Sequence, residues 1–398
     1  MNAQAAVDRL MKLLAVPGIT GEESNIAKAI QAELKVAGVT PKQIAFDDAN
    51  TRIPLPTQTG NLIVKLPGRG ARKAEEPRLF MTHMDTVPLC AGAKPRLAGR
   101  KIVNDAETAL GGDNRTGCAI LVNLAAELNA NKPDHPPMTL LFTVREESGL
   151  FGARYIDPQV LAHDGTMPKL GFNFDGRSAA DIIIGAVGAD RWEVDIQGKA
   201  SHAGVAPHKG ISAMMIFAVA LADVRAKGYF GAVSKNGKLG TSNVGPVGGK
   251  NGGTAGDATN VVTDYVHVKG ESRSHDPAFV REITAAYKTA FAAAVAAVTD
   301  DQGKFGKVKF TVRPDYLPFR IKETAPVVQL AAAAVSELGR DAVLRVTNGG
   351  LDANWMSKHG IPTVTLGAGQ NDIHTIKEFV DLKEYEDAVK LAYVLATL

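Results

Sequence analysis

Seven side chains in this sequence could take part in metal-assisted hydrolysis: His83, Asp85, Asp113, Glu146, Glu147, Asp175 and His374. Cleaving an amide at a dinuclear centre needs two cations about 3.5–4 Å apart, a bridging carboxylate and a carboxylate base for the shared water. It also needs imidazole or carboxylate ligands that leave a position open to substrate. Singly, each residue has an ordinary reading. His-x-Asp arises by chance, and adjacent glutamates are commonly a solvated helix face. Asp175 before a glycine could sit in a turn, and His374 in a loop. Their joint placement argues otherwise. Glu146-Glu147 closes the apolar run 138–144, His83-Met84-Asp85 closes 79–82, and Asp175 closes 170–174. Acidic groups at the ends of buried strands are costly unless a cation or a reaction needs them. Three such strands predict one polar site at the carboxyl edge of a sheet.

The elements that must position these residues follow from periodicity. Val7, Leu10, Met11 and Leu14 recur at helical spacing and predict an opening amphipathic helix. Thr20-Gly21-Glu22-Glu23 reads as a capping box for a second helix, through about residue 34. Strands are expected over 61–66, 78–82, 138–144 and 170–174, with a helix over 114–128. Strands alternating with helices argue for an α/β domain with a mostly parallel sheet and flanking helices. After residue 188 the order changes to strand 191–197, helix 211–225, strands 241–244 and 260–268, helix 277–298 and strand 307–313. That β-α-β-β-α-β order is the split arrangement of a ferredoxin-like module. Helices over 325–338 and 383–395 and a strand over 361–366 then resume the α/β style. The expected organisation is a catalytic domain of residues 1–188 and 315–398, interrupted by a lid domain of residues 189–314.

At 398 residues the chain is long for a single core. Its 45% hydrophobic and 22% charged content is ordinary for a globular enzyme. A formal charge of +3, with Lys and Arg scattered, leaves no footprint for nucleic acid or an anionic membrane. Two cysteines, Cys90 and Cys118, cannot form a disulfide framework, so a reduced cytoplasmic protein is the simplest reading. The N-terminus carries no export pattern, and apolar runs such as 211–222 are too short to span a bilayer. The glycine-rich stretch 245–256 has Asn251 after Gly249-Lys250, so it lacks the Ser/Thr of a phosphate loop and reads as a hairpin loop. Ser201-His202 has no nucleophile elbow around it. His135, His163, His208, His267, His275 and His359 lack paired ligand spacing. Cys118 falls on the apolar face of a helix.

The segments THMDTVP, LGGDNRTG, FTVREESGLFGA, NFDG, KASHAG, ESRSHD and DIHTIKEF resemble, in order and spacing, the signatures of a dinuclear-zinc exopeptidase and deacylase family. That family includes peptidase T, glutamate-releasing carboxypeptidases, and acetylornithine and succinyl-diaminopimelate deacylases. The resemblance runs from about Pro17 to Phe379, and FNFDG and IHTIKEF are most similar to peptidase T-like members. It implies that His83 and Asp175 bind one zinc, Glu147 and His374 the other, and that Asp113 bridges both. Asp85 would orient His83, and Glu146 would be the general base. A cis peptide is implied at Asp113-Asn114. The lid would supply His202, reaching the site from the partner subunit of a homodimer to stabilise the oxyanion. It would also supply Asn260 and Arg273 to hold the substrate's terminal carboxylate. Gly349 and Gly350 resemble a stretch that lines the substrate cleft.

The resemblance therefore implies a cytoplasmic exopeptidase with two Zn2+, for which Co2+ or Mn2+ would also suit the ligands. Its substrates would be short peptides, cleaved as by an aminopeptidase on di- and tripeptides. An N-acyl-amino-acid deacylase or a carboxypeptidase would use the same metal chemistry. A binding protein that keeps the fold without turnover is the reading from a different class. About thirty residues separate His83 from Asp113, fewer than expected for peptidase T itself.

Overall fold

A computed structural model describes residues 2–256 and 258–398. The chain divides into two compact units. One comprises Met1–Gly185, Arg320–Thr347 and Leu351–Leu398, and the other Ala186–Phe319 and Asn348–Gly350.

In the first unit, strands Met138–Thr143, Arg78–His83, Leu170–Phe174 and Thr363–Leu366 lie side by side in that order and run parallel. Every residue of the first two is buried. Covered on both faces, such strands need continuous apolar runs rather than alternation. Antiparallel strands extend the sheet outward, Leu62–Leu66 and Ile44–Phe46 on one side and Asp181–Ala186 on the other. Helix Gly112–Asn131, buried over most of its length, packs on strand Arg78–His83 and on helices Ala3–Leu14, Ser24–Val36 and Leu382–Thr397. Tyr385 locks three of these helices: its hydroxyl donates to the Ala6 carbonyl at 3.0 Å and accepts from Asn123 Nδ2 at 3.0 Å.

The expected capping box does not form. Helix Ser24–Val36 has Glu23 at its cap with no side-chain bond to the helix. Thr20 Oγ1 donates to Ser148 Oγ at 2.9 Å, while the Glu23 carboxylate turns back to accept from Gly21 N at 2.6 Å. Both groups are drawn away from the helix toward the segment that follows strand Met138–Thr143.

The second unit is an antiparallel sheet in the order Gly231–Lys235, Lys238–Gly248, Tyr265–Ser274, Gly188–Gln197, Lys307–Tyr316. Helices Ala213–Ala226 and Pro277–Ala297 pack together on it around Trp192, Phe279, Tyr287 and Phe291. This is the expected order with one added edge strand. Gly231–Lys235 joins Lys238–Gly248 through Asn236-Gly237, both at positive φ (51° and 76°), as a two-residue hairpin turn requires. The strand expected over 260–268 instead spans Tyr265–Ser274. Val261 and Val262 invite a strand by composition, but the main chain here pairs with the turn around His202. Ala203 N donates to Asn260 O at 2.8 Å, and Val262 N to Ser201 O at 2.9 Å.

Candidate active site

The parallel strands deliver their polar residues to one edge of the sheet. His83 ends strand Arg78–His83, in register with Thr143 of the neighbouring strand. Glu146 and Glu147 follow that neighbour, and Asp175 follows Leu170–Phe174. Asp113 opens helix Gly112–Asn131, and the Asp113-Asn114 peptide is cis. His374 lies in the loop between short strands Gln370–Asn371 and Phe379–Asp381, at φ 61°.

Asp113 stands at the centre. Its Oδ1 lies 3.0 Å from His83 Nε2 and its Oδ2 3.1 Å from His374 Nε2. His374 Nε2 is also 3.0 Å from Glu147 Oε1, and His83 Nε2 is 3.6 Å from Asp175 Oδ1. Two acid–imidazole groups thus share one carboxylate. Ligand atoms of His83, Asp113 and Glu147 lie within 4.8 Å of one another, forming a possible metal site.

The electrostatics fit a cation. Burial, with the Asp113 charge, pushes Glu147 up to about 7 and raises Asp175 as well. Glu146 is driven well above the usual carboxyl range by burial, against the pull of His83 and with added repulsion from Glu147, Asp175 and Asp352. Asp113 is held low despite burial, because His374 and His83 both hydrogen-bond it. Hydrogen bonds to Asp113 and Glu147 in turn lift His374 to about 10. Crowded carboxylates beside imidazole nitrogens are a hard-to-borderline donor set suited to a divalent ion.

A further layer fixes this group. The Asp85 carboxylate accepts from Glu146 N at 3.0 Å and Glu147 N at 3.2 Å. The atom of Asp85 nearest His83 Nδ1 is its main-chain carbonyl at 3.1 Å, with the carboxylate at 3.4 Å. Asn114 Nδ2 donates to Phe174 O at 2.7 Å, tying the bridging segment to the strand that precedes Asp175.

Glu23 and Asp352 are among the buried acids that escaped the sequence reading. Glu23 accepts from Arg145 N at 3.1 Å as well as from Gly21 N, and burial plus the Asp85 charge raise it to about 7. Asp352 accepts from the Thr143 hydroxyl. Its other oxygen has no partner among the described residues, and burial raises it to about 7. Glu23 was masked by its resemblance to a cap residue; Asp352 carried only its position after Gly349-Gly350.

The remaining expected site residues belong to the second unit. His202 is exposed, and its Nδ1 accepts from Gly204 N at 3.2 Å and Val205 N at 3.1 Å. Asn260, also exposed, is joined to this turn through its carbonyl. Arg273 is gripped by both oxygens of Glu271, at 2.9 and 3.0 Å, and Glu271 also pairs with Arg191 at 3.2 Å. Gly350 lies against the Tyr316 ring, with which any Cβ there would clash, and Gly349 precedes it. The two cysteines are buried and free, and Cys118 Sγ donates to the His83 carbonyl at 3.3 Å.

A mostly parallel α/β sheet thus carries at its carboxyl edge an acid–imidazole cluster able to hold a metal ion, as a metal-dependent hydrolase requires. Over residues 79–397 the sequence matches Peptidase family M20/M25/M40; the chain belongs to that family and is a metallopeptidase of it. The protein YqjE of Bacillus subtilis is 30% identical over 385 residues, covering 96% of this chain and 95% of the relative. Among solved structures, aminopeptidase PepT from Bacillus cereus is 30% identical with a TM-score of 0.82. A tripeptidase from Staphylococcus aureus is 27% identical with a TM-score of 0.85. Each of these two covers 100% of this chain and is itself covered to 98%. No helix among the described residues is long and apolar enough to cross a membrane.

Proposed function

We propose that this protein is a peptidase T-like exopeptidase that removes the N-terminal residue from di- and tripeptides at a dinuclear zinc centre. The observation that carries this reading is the division of Asp113, one oxygen toward His83 and the other toward His374. In this reading His83 and Asp175 hold one ion, Glu147 and His374 the other, and Asp113 both. When bound, such a pair lowers the pKa of a water toward about 7 and polarises the scissile carbonyl. Co2+ or Mn2+ would fit the same oxygen and nitrogen donors.

Glu146 takes the proton released by the attacking water and returns it to the leaving amine. Its buried, acid-rich surroundings favour the protonated form and so assist the first transfer, the uptake of the proton. Asp85 keeps Glu146 and Glu147 in place through their main-chain N–H groups. His202 stabilises the oxyanion. With Nδ1 occupied as an acceptor, its neutral ring carries hydrogen on Nε2, the atom free to donate. Asn260 and Arg273 hold the peptide carboxylate, with Glu271 fixing the plane of the guanidinium. Gly349 and Gly350 line the substrate cleft, Gly350 against the Tyr316 ring. The enzyme works as a cytoplasmic homodimer joined through the second unit, His202 serving the partner's site. Two buried, unoxidised thiols suit that compartment.

The test is metal analysis followed by turnover of a panel of free and N-acylated di- and tripeptides and of N-acyl amino acids. Expected is cleavage of peptides with a free amino terminus, lost on chelation and restored by Zn2+, Co2+ or Mn2+. Cleavage of N-acyl amino acids alone would make the protein a deacylase. A metal-loaded protein that cuts nothing would be a binding protein.

A further inference from the structure

The loop that carries His374 is anchored at both of its feet to the residues around Asp113. On the entry side, Gln370 Nε2 donates to Asn114 Oδ1 at 2.9 Å. On the exit side stands Glu378, buried and four residues after His374. Its Oε2 accepts from Leu110 N and Gly111 N, each at 2.8 Å, and its Oε1 accepts from Asp113 N at 3.0 Å. The start of helix Gly112–Asn131 therefore forms a small nest of N–H groups around a carboxylate. No side chain of the cap residue, Gly111, does this work, and helix starts leave such donors without intrahelical partners.

The sequence of the nest is shaped by this anion. Gly111 adopts φ 81°, a left-handed conformation in which a side chain is disfavoured. A Cβ on Gly112 would lie 3.2 Å from Glu378 Oε1 and 2.9 Å from Val380 Cγ2. The pair of glycines before Asp113 thus admits the carboxylate and the strand behind it. His374 needs such an anchor. Its side chain is 46% exposed and its backbone sits at φ 61°, so little local packing holds it.

We propose that Glu378 is a positioning residue: it joins the His374 loop to the main chain of Asp113 and so sets the distance between a bridging and a terminal metal ligand. The proposal rests on the metal assignment made above, and it goes further in assigning the geometry of both ligands to one non-ligating carboxylate. Partners of this outer kind typically change metal affinity by about 10–100-fold when removed.

The experiment compares parent and Glu378→Gln by zinc titration against a chromophoric chelator, by the visible spectrum of the Co2+-loaded protein, and by thermal unfolding of the metal-free protein. Glutamine keeps the size and one acceptor but loses the second oxygen and the charge. Expected are a fall of about 10–100-fold in zinc affinity, affecting both ions because Asp113 is shared, and a changed Co2+ spectrum in a folded protein. A purely structural role would lower the unfolding temperature and leave the cobalt spectrum unmoved. A folded Glu378→Gln with parental affinity and spectrum overturns the proposal while leaving the metal assignment standing. A parent that binds no metal overturns the functional reading itself. Should the Gln variant not fold, Glu378→Asp and Gly112→Ala are read in the same way. Failure of all three to fold assigns Glu378 to folding alone and equally overturns the proposal.

Discussion

The carboxyl edge of the first unit and the polar turns of the second present catalytic candidates in opposite ways. At the edge, His83 and Asp113 have side-chain exposures of only 2% and 8%, and the two answer each other at 3.0 Å. In the second unit His202 and Asn260 are exposed on adjoining turns, and Arg273 is already matched by Glu271. Burying charge is tolerable only where partners or a cation compensate it. The first region is therefore committed to its chemistry by its own energetics. The second is free of that constraint, and its residues acquire meaning from what they contact.

The contrast can be broken most severely at Glu146. Glu146→Gln should lower kcat by about 10²–10⁴-fold and leave metal content unchanged, because on the proposed assignment it removes the base and no ligand. Steady-state turnover with metal analysis on the same sample checks this, and a near-parental rate would move the base elsewhere. His202→Ala should have the next largest effect, about 10²-fold on kcat with full metal occupancy. Mixing it with Glu146→Gln sharpens the point. Activity regained in hybrid dimers supports donation across subunits, and none regained confines His202 to its own chain.

A third expected effect is on stability, not turnover. The Glu23 carboxyl lies near 7 in the folded protein against 4.5 when unperturbed. The unfolded chain then releases this proton first as pH rises. The stability contributed is complete below 4.5 and is lost through pH 7. In metal-free protein, Glu23→Gln should gain on the parent by roughly 3 kcal/mol between pH 4.5 and pH 8, on 1.36 kcal/mol per unit. Denaturant midpoints at the two pH values measure it, and parallel pH profiles would sink the idea.

Much of the acid–imidazole cluster was legible in the sequence. Strands buried on both faces must be apolar throughout, so an acid or imidazole closing such a run stands out locally, as at His83, Glu146, Glu147 and Asp175. The hairpin at Asn236-Gly237 offered an equally local signal and was passed over. By contrast, Glu23, a residue that fitted a capping pattern, is shared between Gly21 N nearby and Arg145 N far along the chain.

The sequence by itself determined the parallel α/β core, the strand-end chemistry and the candidate ligands, because hydrophobic period and the penalty for buried charge act over a few neighbouring residues. Tertiary structure alone decided which oxygen of Asp113 meets which imidazole and that Asp85 holds both glutamates. It also decided that Glu378 and Gln370 reach back 265 and 256 residues to Asp113 and Asn114. Hydrogen bonds across such separations leave no periodicity to read. They are set by where the folded chain brings its donors and acceptors, and only there.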